Sequence, residues 1–418
     1  MESTYNDGIL RIVFPESIDS NNANEFETEL FKLEKLDYSK KILLDFENLN
    51  YISSMGLRII LKLLKKYKGV QIISINVSSK IYDILSATGF TELLKVRKKL
   101  REINTEQMKL LGFGIYSSVY RINEEQIVKV FHGINSEDDI QPVIKAIQTA
   151  LVHGIPTLMP FEIVRTENGI GMILELINSE TMSTYMQKNP KKLDKYINDM
   201  IELAKTLAAT NFEEGLLRKR SEMLISKLEN AAEFLLPEEI SVIKNYINAI
   251  PDRNAAVHGD FHAKNIMIMD DKPILIDMDE FSCGHPIWDI ANVNCIYQTM
   301  AHADPKISSD LFDIKGKMSY EDFYFRIIGC TIAEAERIWD KFFNGYFLGY
   351  SAEDKNSILE LVEFYARFKY ITFLVDVCNK LKNNPKKLAE KISHVRRILS
   401  ELKTKNFNEL IKYLDLWR

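Results

Sequence analysis

Cysteine is scarce in this chain. Cys283, Cys295, Cys330 and Cys378 are all that 418 residues contain, and none stands at a paired or metal-type spacing. That argues against a disulfide framework and for a reducing cytosol as the setting. Long apolar runs are missing too, and the acidic start MESTYNDG has none of the features of a secretory signal, so neither a membrane span nor export is expected. Nor is there a strong positive charge. The net charge is −5, divided as +2 over residues 1–100 and −7 over the rest. A mildly acidic larger part argues against nucleic acid as a partner and permits a cationic substrate. Finally, no Pro/Gly-rich linker interrupts the chain. The charged run Arg97-Lys98-Lys99-Leu100-Arg101-Glu102 marks a boundary near residues 97–106, and the parts on either side are expected to pack closely.

What the sequence does contain suits a soluble protein of two to three domains, with 46% hydrophobic and 27% charged residues. In the first hundred residues, Gly8 to Phe14 alternates as a half-buried strand should, and Lys41 to Phe46 and Val70 to Val77 read as buried strands. Asn22 to Leu36 places Phe26, Leu30, Leu33 and Leu36 at helical spacing. Met55 to Tyr67 does the same with Leu57, Ile60, Leu61 and Leu64, leaving Arg58, Lys62, Lys65, Lys66 and Lys68 mainly on its outer side. Alternating strands and helices predict a sheet covered by helices.

The stretch Tyr51-Ile52-Ser53-Ser54-Met55-Gly56-Leu57 combines a strand, adjacent serines, a Gly-Leu pair and an amphipathic helix. With Asp19 and Asn21-Asn22-Ala23 after the first strand, it resembles the STAS (anti-sigma factor antagonist) family. The resemblance implies an α/β STAS-like domain over residues 1–100, a possible protein partner, and Ser54 as the position that switching members phosphorylate. A phosphate at a helix start would meet free N–H groups and the positive end of the helix dipole. Ser53 stands where switching members carry Asp, and a plain N-cap is the competing reading for either serine.

The remaining residues are organised around Ala256 to Ala291. His258-Gly259-Asp260 is followed by Asn265 after a gap of four, and then by an apolar run ending at Asp277. This is the catalytic-loop and metal-site pattern of phosphoryl transferases. A transferred phosphoryl group needs Mg²⁺ on its oxygens, which suits Asn265 and Asp277, and the attacking hydroxyl needs a carboxylate, which suits Asp260. Ile266-Met267-Ile268 and Ile274-Leu275-Ile276 read as two strands that hold both ligands on one edge, joined by a turn at Asp270-Asp271-Lys272-Pro273. Upstream, Leu111 to Tyr120 is a glycine-loop candidate in which Gly112, Gly114, Ser117 and Ser118 would face phosphates. Lys129, alone in the apolar run Ile127 to Phe131, would grip them.

The HGD-x4-N motif, the IDxD of Ile276 to Asp279 and the later Gly284, Pro286 and Asp289 together resemble the aminoglycoside phosphotransferase and choline kinase branch of the kinase-like fold. The resemblance implies a two-lobed α+β protein-kinase-like domain with a large helical C-lobe. Its N-lobe would span 101–180 and its C-lobe 181–418. It also implies a hinge at which Glu175 and Ile177 meet adenine, with ATP (GTP not excluded) and Mg²⁺ as cofactors. Asp279 would be a further metal-site carboxylate, and His258 and Asp289 would brace the loop. The usual acidic partner of the lysine is missing from the helix Asp138 to Val152, where Gln141 could only hydrogen-bond Lys129.

The expected function is an ATP-dependent phosphotransferase acting on a hydroxyl of a small acceptor, for which the charge permits a cation, with residues 301–319 as an acceptor-site loop. Two alternatives stand beside it: a regulatory protein kinase acting on Ser54 or a partner, and a nucleotide-binding interaction module with little turnover.

Overall fold

A computed structural model describes residues 2–114, 116–134, 136–229, 232–303 and 319–417. Most of the expected acceptor-site loop, 304–318, lies outside the described residues. The chain forms two compact units, Met1–Gln107 with Ile163–Gly171, and Met108–Glu162 with Met172–Arg418.

In the first unit, β1 (Glu2–Asn6) and β2 (Ile9–Val13) form a hairpin whose turn residues Asp7 and Gly8 both take positive φ. β2 then pairs in parallel with β4 (Lys41–Asp45), β4 with β6 (Gln71–Val77) and β6 with β7 (Lys95–Lys98). Parallel strands need crossovers, and α1 (Ala23–Phe31), α2 (Ser54–Lys66), α3 (Ser79–Ala87) and α4 (Phe90–Leu93) lie in these connections. A small side sheet of β3 (Ser17–Ile18) and β5 (Tyr51–Ile52) closes beneath α2. The core gathers Leu10, Ile12, Phe26, Leu30, Ile42, Leu44, Ile60 and Leu63.

Two expectations shift here. The helix foreseen to Leu36 ends at Phe31, and a 3₁₀ turn (Glu34–Tyr38) carries the buried Leu36. The buried stripe of α2 is Leu57, Ile59, Ile60 and Leu63, with Leu61 and Leu64 only partly covered. A last strand, β8 (Arg101–Ile103), pairs in parallel with the tip of β12 (Pro160–Thr166).

In the second unit, β9 (Lys109–Phe113), β10 (Ser117–Arg121) and β11 (Gln126–Phe131) form an antiparallel meander. α5 (Glu137–Val152) follows, then the hairpin of β12 and β13 (Gly169–Glu175). The helical part opens with α6 (Met182–Lys188), α7 (Leu193–Ala209), α8 (Arg220–Glu229) and α9 (Pro237–Asn248). Two small hairpin-like pairs follow: β14 (Ala255–Val257) with β17 (Ser282–Gly284), and β15 (Ile266–Met269) with β16 (Lys272–Leu275). The β15–β16 turn is only Asp270-Asp271, both at positive φ, so it is tighter than the four-residue turn expected and keeps Asn265 and Asp277 at the open end of the hairpin. α10 (Ile287–Asn294) passes into a π-helical turn (Cys295–Thr299), and the helices Tyr320–Ile328, Ile332–Tyr346, Ala352–Lys380 and Pro385–Lys403 complete the unit. The helix Pro385–Lys403 is followed by a short helix (Phe407–Leu410) and a 3₁₀ turn (Ile411–Leu416), and Phe407 turns in to pack on Tyr246 and Phe364. Among the described residues no helix is long and apolar enough to cross a membrane.

Candidate active site

The loop between β14 and β15 carries His258, Gly259, Asp260 and Asn265, and backbone demands fix its shape. Gly259 has φ +85, and a Cβ there would lie 2.7 Å from Arg220 Nη1 and 2.9 Å from the Glu280 carbonyl oxygen, so only glycine fits. The N–H groups of His258 and Gly259 each donate at 2.8 Å to one oxygen of the buried Asp289, at the start of α10. Burial raises the Asp289 pKa, partly offset by His258 and these two N–H groups. The His258 ring occupies both nitrogens: Nδ1 accepts from the Asp260 N–H at 3.2 Å, and Nε2 meets the Ile276 carbonyl at 3.0 Å. His258 and Asp289 therefore both act as struts for the loop.

Asp260 is held from several sides. The Asn265 amide nitrogen donates to the Asp260 carbonyl at 2.9 Å and to its Oδ2 at 3.0 Å, His262 Nε2 lies 3.5 Å from Oδ2, and Asn292 Nδ2 lies 3.4 Å from Oδ1. Burial raises the Asp260 pKa, but His262 and then Lys369 outweigh it, so the carboxylate stays ionised far below the usual range. Spending its NH₂ on Asp260 leaves the Asn265 amide with its oxygen to offer.

Lys129, buried on β11, places its ammonium 2.6 Å from Asp277 Oδ1 and 2.7 Å from Asp279 Oδ2. Burial works against the charged amine, but the two carboxylates outweigh it and raise the Lys129 pKa. The acid that the sequence does not supply on α5 is thus found on the Asp277-Met278-Asp279 turn, and Gln141 is not needed. Asp277 itself takes a left-handed φ of +60, which turns its carboxylate back toward Lys129. Burial, reinforced by Asp277 and opposed by Lys129, pushes the Asp279 carboxyl up to about 6.

A second charged network lies behind this one and involves residues the motif reading did not single out. Glu280 accepts from the buried Arg220 at 2.8 Å, pairs with Lys227, and lies 3.8 Å from Lys369, whose ammonium donates to the Gly259 carbonyl at 2.8 Å. The only sequence signal was Glu280 directly following the IDxD motif. The three cations come from helices that no short motif connects to it.

Residues 1–103 match the family model described as the STAS domain, and residues 107–306 match that described as the phosphotransferase enzyme family. This chain joins a STAS domain to a phosphotransferase domain. Similar solved structures are distant ones. An ADP-bound aminoglycoside phosphotransferase is 15% identical over 78% of this chain and 98% of its own, with a TM-score of 0.44. A choline/ethanolamine kinase family protein from Mesorhizobium loti is 14% identical over 75% and 93%, with a TM-score of 0.43. An anti-sigma factor antagonist from Thermotoga maritima is 21% identical over 23% of this chain and 85% of its own, with a TM-score of 0.22. Among curated proteins none matches.

In the phosphotransferase domain the expected glycine loop falls at the β9–β10 connection, where the Gly114 N–H donates to the Ser117 carbonyl at 2.8 Å. Neither Gly112 nor Gly114 has a left-handed φ, and a Cβ on either would meet nothing closer than 3.5 Å. The fold by itself does not demand glycine at these two positions. The Ser118 hydroxyl is turned away onto His132 Nε2 at 2.8 Å. At the β13 exit, the Glu175 N–H donates to the Met159 carbonyl at 3.0 Å, while the Ile177 N–H has no partner among the described residues. In the STAS domain, Ser53 is the N-cap of α2, its hydroxyl accepting from the Gly56 N–H at 3.4 Å, and Ser54 is the exposed first residue of the helix.

Proposed function

We propose that the phosphotransferase domain moves the γ-phosphoryl group of ATP to a hydroxyl of a small acceptor, with Asp260 receiving the hydroxyl proton. The reading is supported above all by two joined sets: Lys129 with Asp277 and Asp279, and Asn265 with Asp260, linked where the Ile276 N–H beside Asp277 donates to the Asn265 carbonyl at 2.9 Å. Asp260 Oδ2 is occupied by Asn265 and His262, so Oδ1, carrying among the described residues only the long contact to Asn292, is the oxygen proposed to take the proton. Lys129 would leave the two carboxylates for the α/β-phosphates. Gly112, Gly114, Ser117 and the N–H of Ser118 would cover the phosphates, which gives the two unstrained glycines a reason, since a close-lying phosphate leaves no room for side chains. The Glu175 carbonyl and the Ile177 N–H would meet the base; GTP is the alternative donor.

The residues present fit a magnesium site. The Asn265 amide oxygen is uncommitted, Asp277 is accessible, and Asp279 Oδ1 is buried with no partner among the described residues. Mg²⁺ bound through Asn265 and Asp277 would neutralise charge on the phosphate oxygens, and substrate and water oxygens would complete its shell. Among the described residues no three His, Cys, Asp or Glu side chains form a metal cluster by themselves. That is usual for a magnesium ion carried largely by its nucleotide.

The acceptor proposed is a small hydroxylated amine, in keeping with the net negative charge of residues 101–418, and the STAS domain is proposed as a docking or regulatory element. A second reading, a kinase acting on Ser54 or on a partner, is supported by the exposure of Ser54 at a helix start. Intact-mass analysis after incubation with Mg²⁺-ATP separates the two. A phosphate gained by wild type and lost in both Asp260→Asn and Ser54→Ala would favour the second reading, and no mass gain the first. In either case Asp260→Asn should lower turnover by roughly 10²–10⁴ and leave nucleotide binding intact. Wild-type turnover in that variant would remove Asp260 from its role.

A further inference from the structure

The tie between Asp260 and Asn265 hangs on a very short element. Ala263–Asn265 is a single 3₁₀ turn, a conformation with poor intrinsic hydrogen-bond geometry that needs outside support. Besides the Ile276 N–H, which donates to the Asn265 carbonyl at 2.9 Å, three bonds involving side chains support it. The Lys264 N–H donates to His262 Nδ1 at 3.2 Å, the Ala263 N–H donates to the Tyr297 hydroxyl at 3.2 Å, and the Lys264 ammonium donates to the Ile327 carbonyl at 2.5 Å.

The last of these reaches the C-terminal end of the helix Tyr320–Ile328, which Gly329 closes at φ +88. The final carbonyls of a helix have no partner within it and carry the negative end of its dipole. Here each of three receives a side-chain donor: Ile327 from Lys264, Ile328 from the Ser183 hydroxyl at 3.1 Å, and Gly329 from the Gln187 amide. Ser183 and Gln187 belong to α6, and Lys264 is the one cation of the three and the one that stands beside Asn265. The same helix is fixed at a second point, where the Tyr324 hydroxyl donates to the Ile296 carbonyl at 2.8 Å. Lys264 therefore joins the turn to a rigid body and takes no part in the charged network around Asp279 and Glu280.

Building on the phosphoryl-transfer reading above, we propose that Lys264 is a positioning residue. By anchoring the turn to the end of the helix Tyr320–Ile328, it holds the Asn265 amide at the angle that joins it to Asp260 and points its oxygen outward. It touches no substrate, and its effect passes through Asn265. Sites of this kind tolerate displacements of only about 0.5 Å, so the loss of one anchor from so short a turn is expected to register in catalysis.

The test compares Lys264→Met, Lys264→Arg and Ser183→Ala in the full chain. It uses two measurements: Mg²⁺-ATP turnover with water as acceptor, and ADP binding by calorimetry in EDTA and in Mg²⁺. Lys264→Met should lower kcat roughly 10–100-fold, the usual effect of losing a group that orients a ligand. It should reduce the tightening of ADP binding by Mg²⁺ while leaving ADP binding in EDTA unchanged, and Lys264→Arg should recover most of both. Ser183→Ala, which caps the same helix end from α6, should lower only the melting temperature. Wild-type kcat and Mg²⁺ response in folded Lys264→Met would overturn the proposal, as would an equal loss of kcat in Ser183→Ala. Asp260→Asn, run alongside, keeps the failures apart. Turnover surviving there overturns the phosphoryl-transfer reading, whereas turnover lost there and intact in Lys264→Met overturns only the role of Lys264.

Discussion

Glu280→Gln should be among the most destabilising single-atom changes available in this protein. The side chain keeps its volume and loses its charge, leaving three cations to find other partners. Lys227 keeps Asp376 at 3.7 Å, and Lys369 keeps the Gly259 carbonyl at 2.8 Å. Arg220, only 2% exposed, retains among the described residues just a 3.3 Å contact to the Gly259 carbonyl. The change thus strands one buried guanidinium rather than three charges, and removing one partner of a buried pair costs about 3–5 kcal/mol. Urea unfolding at neutral pH should show that loss.

The pH dependence gives a second check. Burial raises the Glu280 pKa, but Arg220, Lys227 and Lys369 together hold it well below its ordinary value of 4.5. A depressed carboxyl stabilises the fold above the free-chain pKa, and that contribution is lost as the pH falls. The gap between wild type and Glu280→Gln should therefore be full at pH 7 and shrink on acidification below about 4.5. Adding Arg220→Met should recover most of the loss, because an apolar replacement removes the stranded charge. A loss under about 1 kcal/mol, or no recovery in the double variant, would refute the assignment of Arg220 as the dependent partner.

Two further outcomes follow from the same geometry. Gly259→Ala should cost about 2–5 kcal/mol, from left-handed strain plus overpacking. Gly154→Ala, at φ +80 in open space, should cost only the strain, about 1–2 kcal/mol, and equal thermal losses in the two would sink the steric argument. The Asp279 carboxyl, raised from 3.8 to about 6, favours the fold below its free-chain pKa and loses that contribution as the pH rises through 6. In EDTA, Asp279→Asn should therefore gain on wild type in melting temperature between pH 4 and pH 6.5, and parallel curves would count against the shift.

What could be read from the sequence was whatever depends on neighbours along the chain. His258-Gly259-Asp260, Asn265 and Asp277 are legible because a loop and a tight hairpin set their spacing, and the Ser-Ser-x-Gly-Leu helix start is legible for the same reason. The partner of Lys129 was sought on α5, where the pattern of relatives puts it, yet the nearer carboxylates belong to a turn about 150 residues away. Arg220, Lys227 and Lys369 were invisible for a related reason. On a helix, a charged residue facing a buried partner has the same sequence pattern as one facing water, and only the packing of α8 and the helix Ala352–Lys380 against the loop tells them apart. The π-helical turn after α10 was equally illegible, since π geometry leaves no local composition signal.

The four cysteines have a practical consequence. All are free and buried, and burial raises their thiols, to about 12 for Cys295 and Cys330 and about 11 for Cys378. Thiolate is the reactive form, so maleimide or disulfide reagents should find the native chain almost silent. The natural sequence therefore already serves as a labelling background. One cysteine placed at exposed Tyr51 and another at exposed Leu348 would carry a spectroscopic pair without removing any native cysteine. The distance between the STAS and phosphotransferase domains could then be followed directly as nucleotide is added.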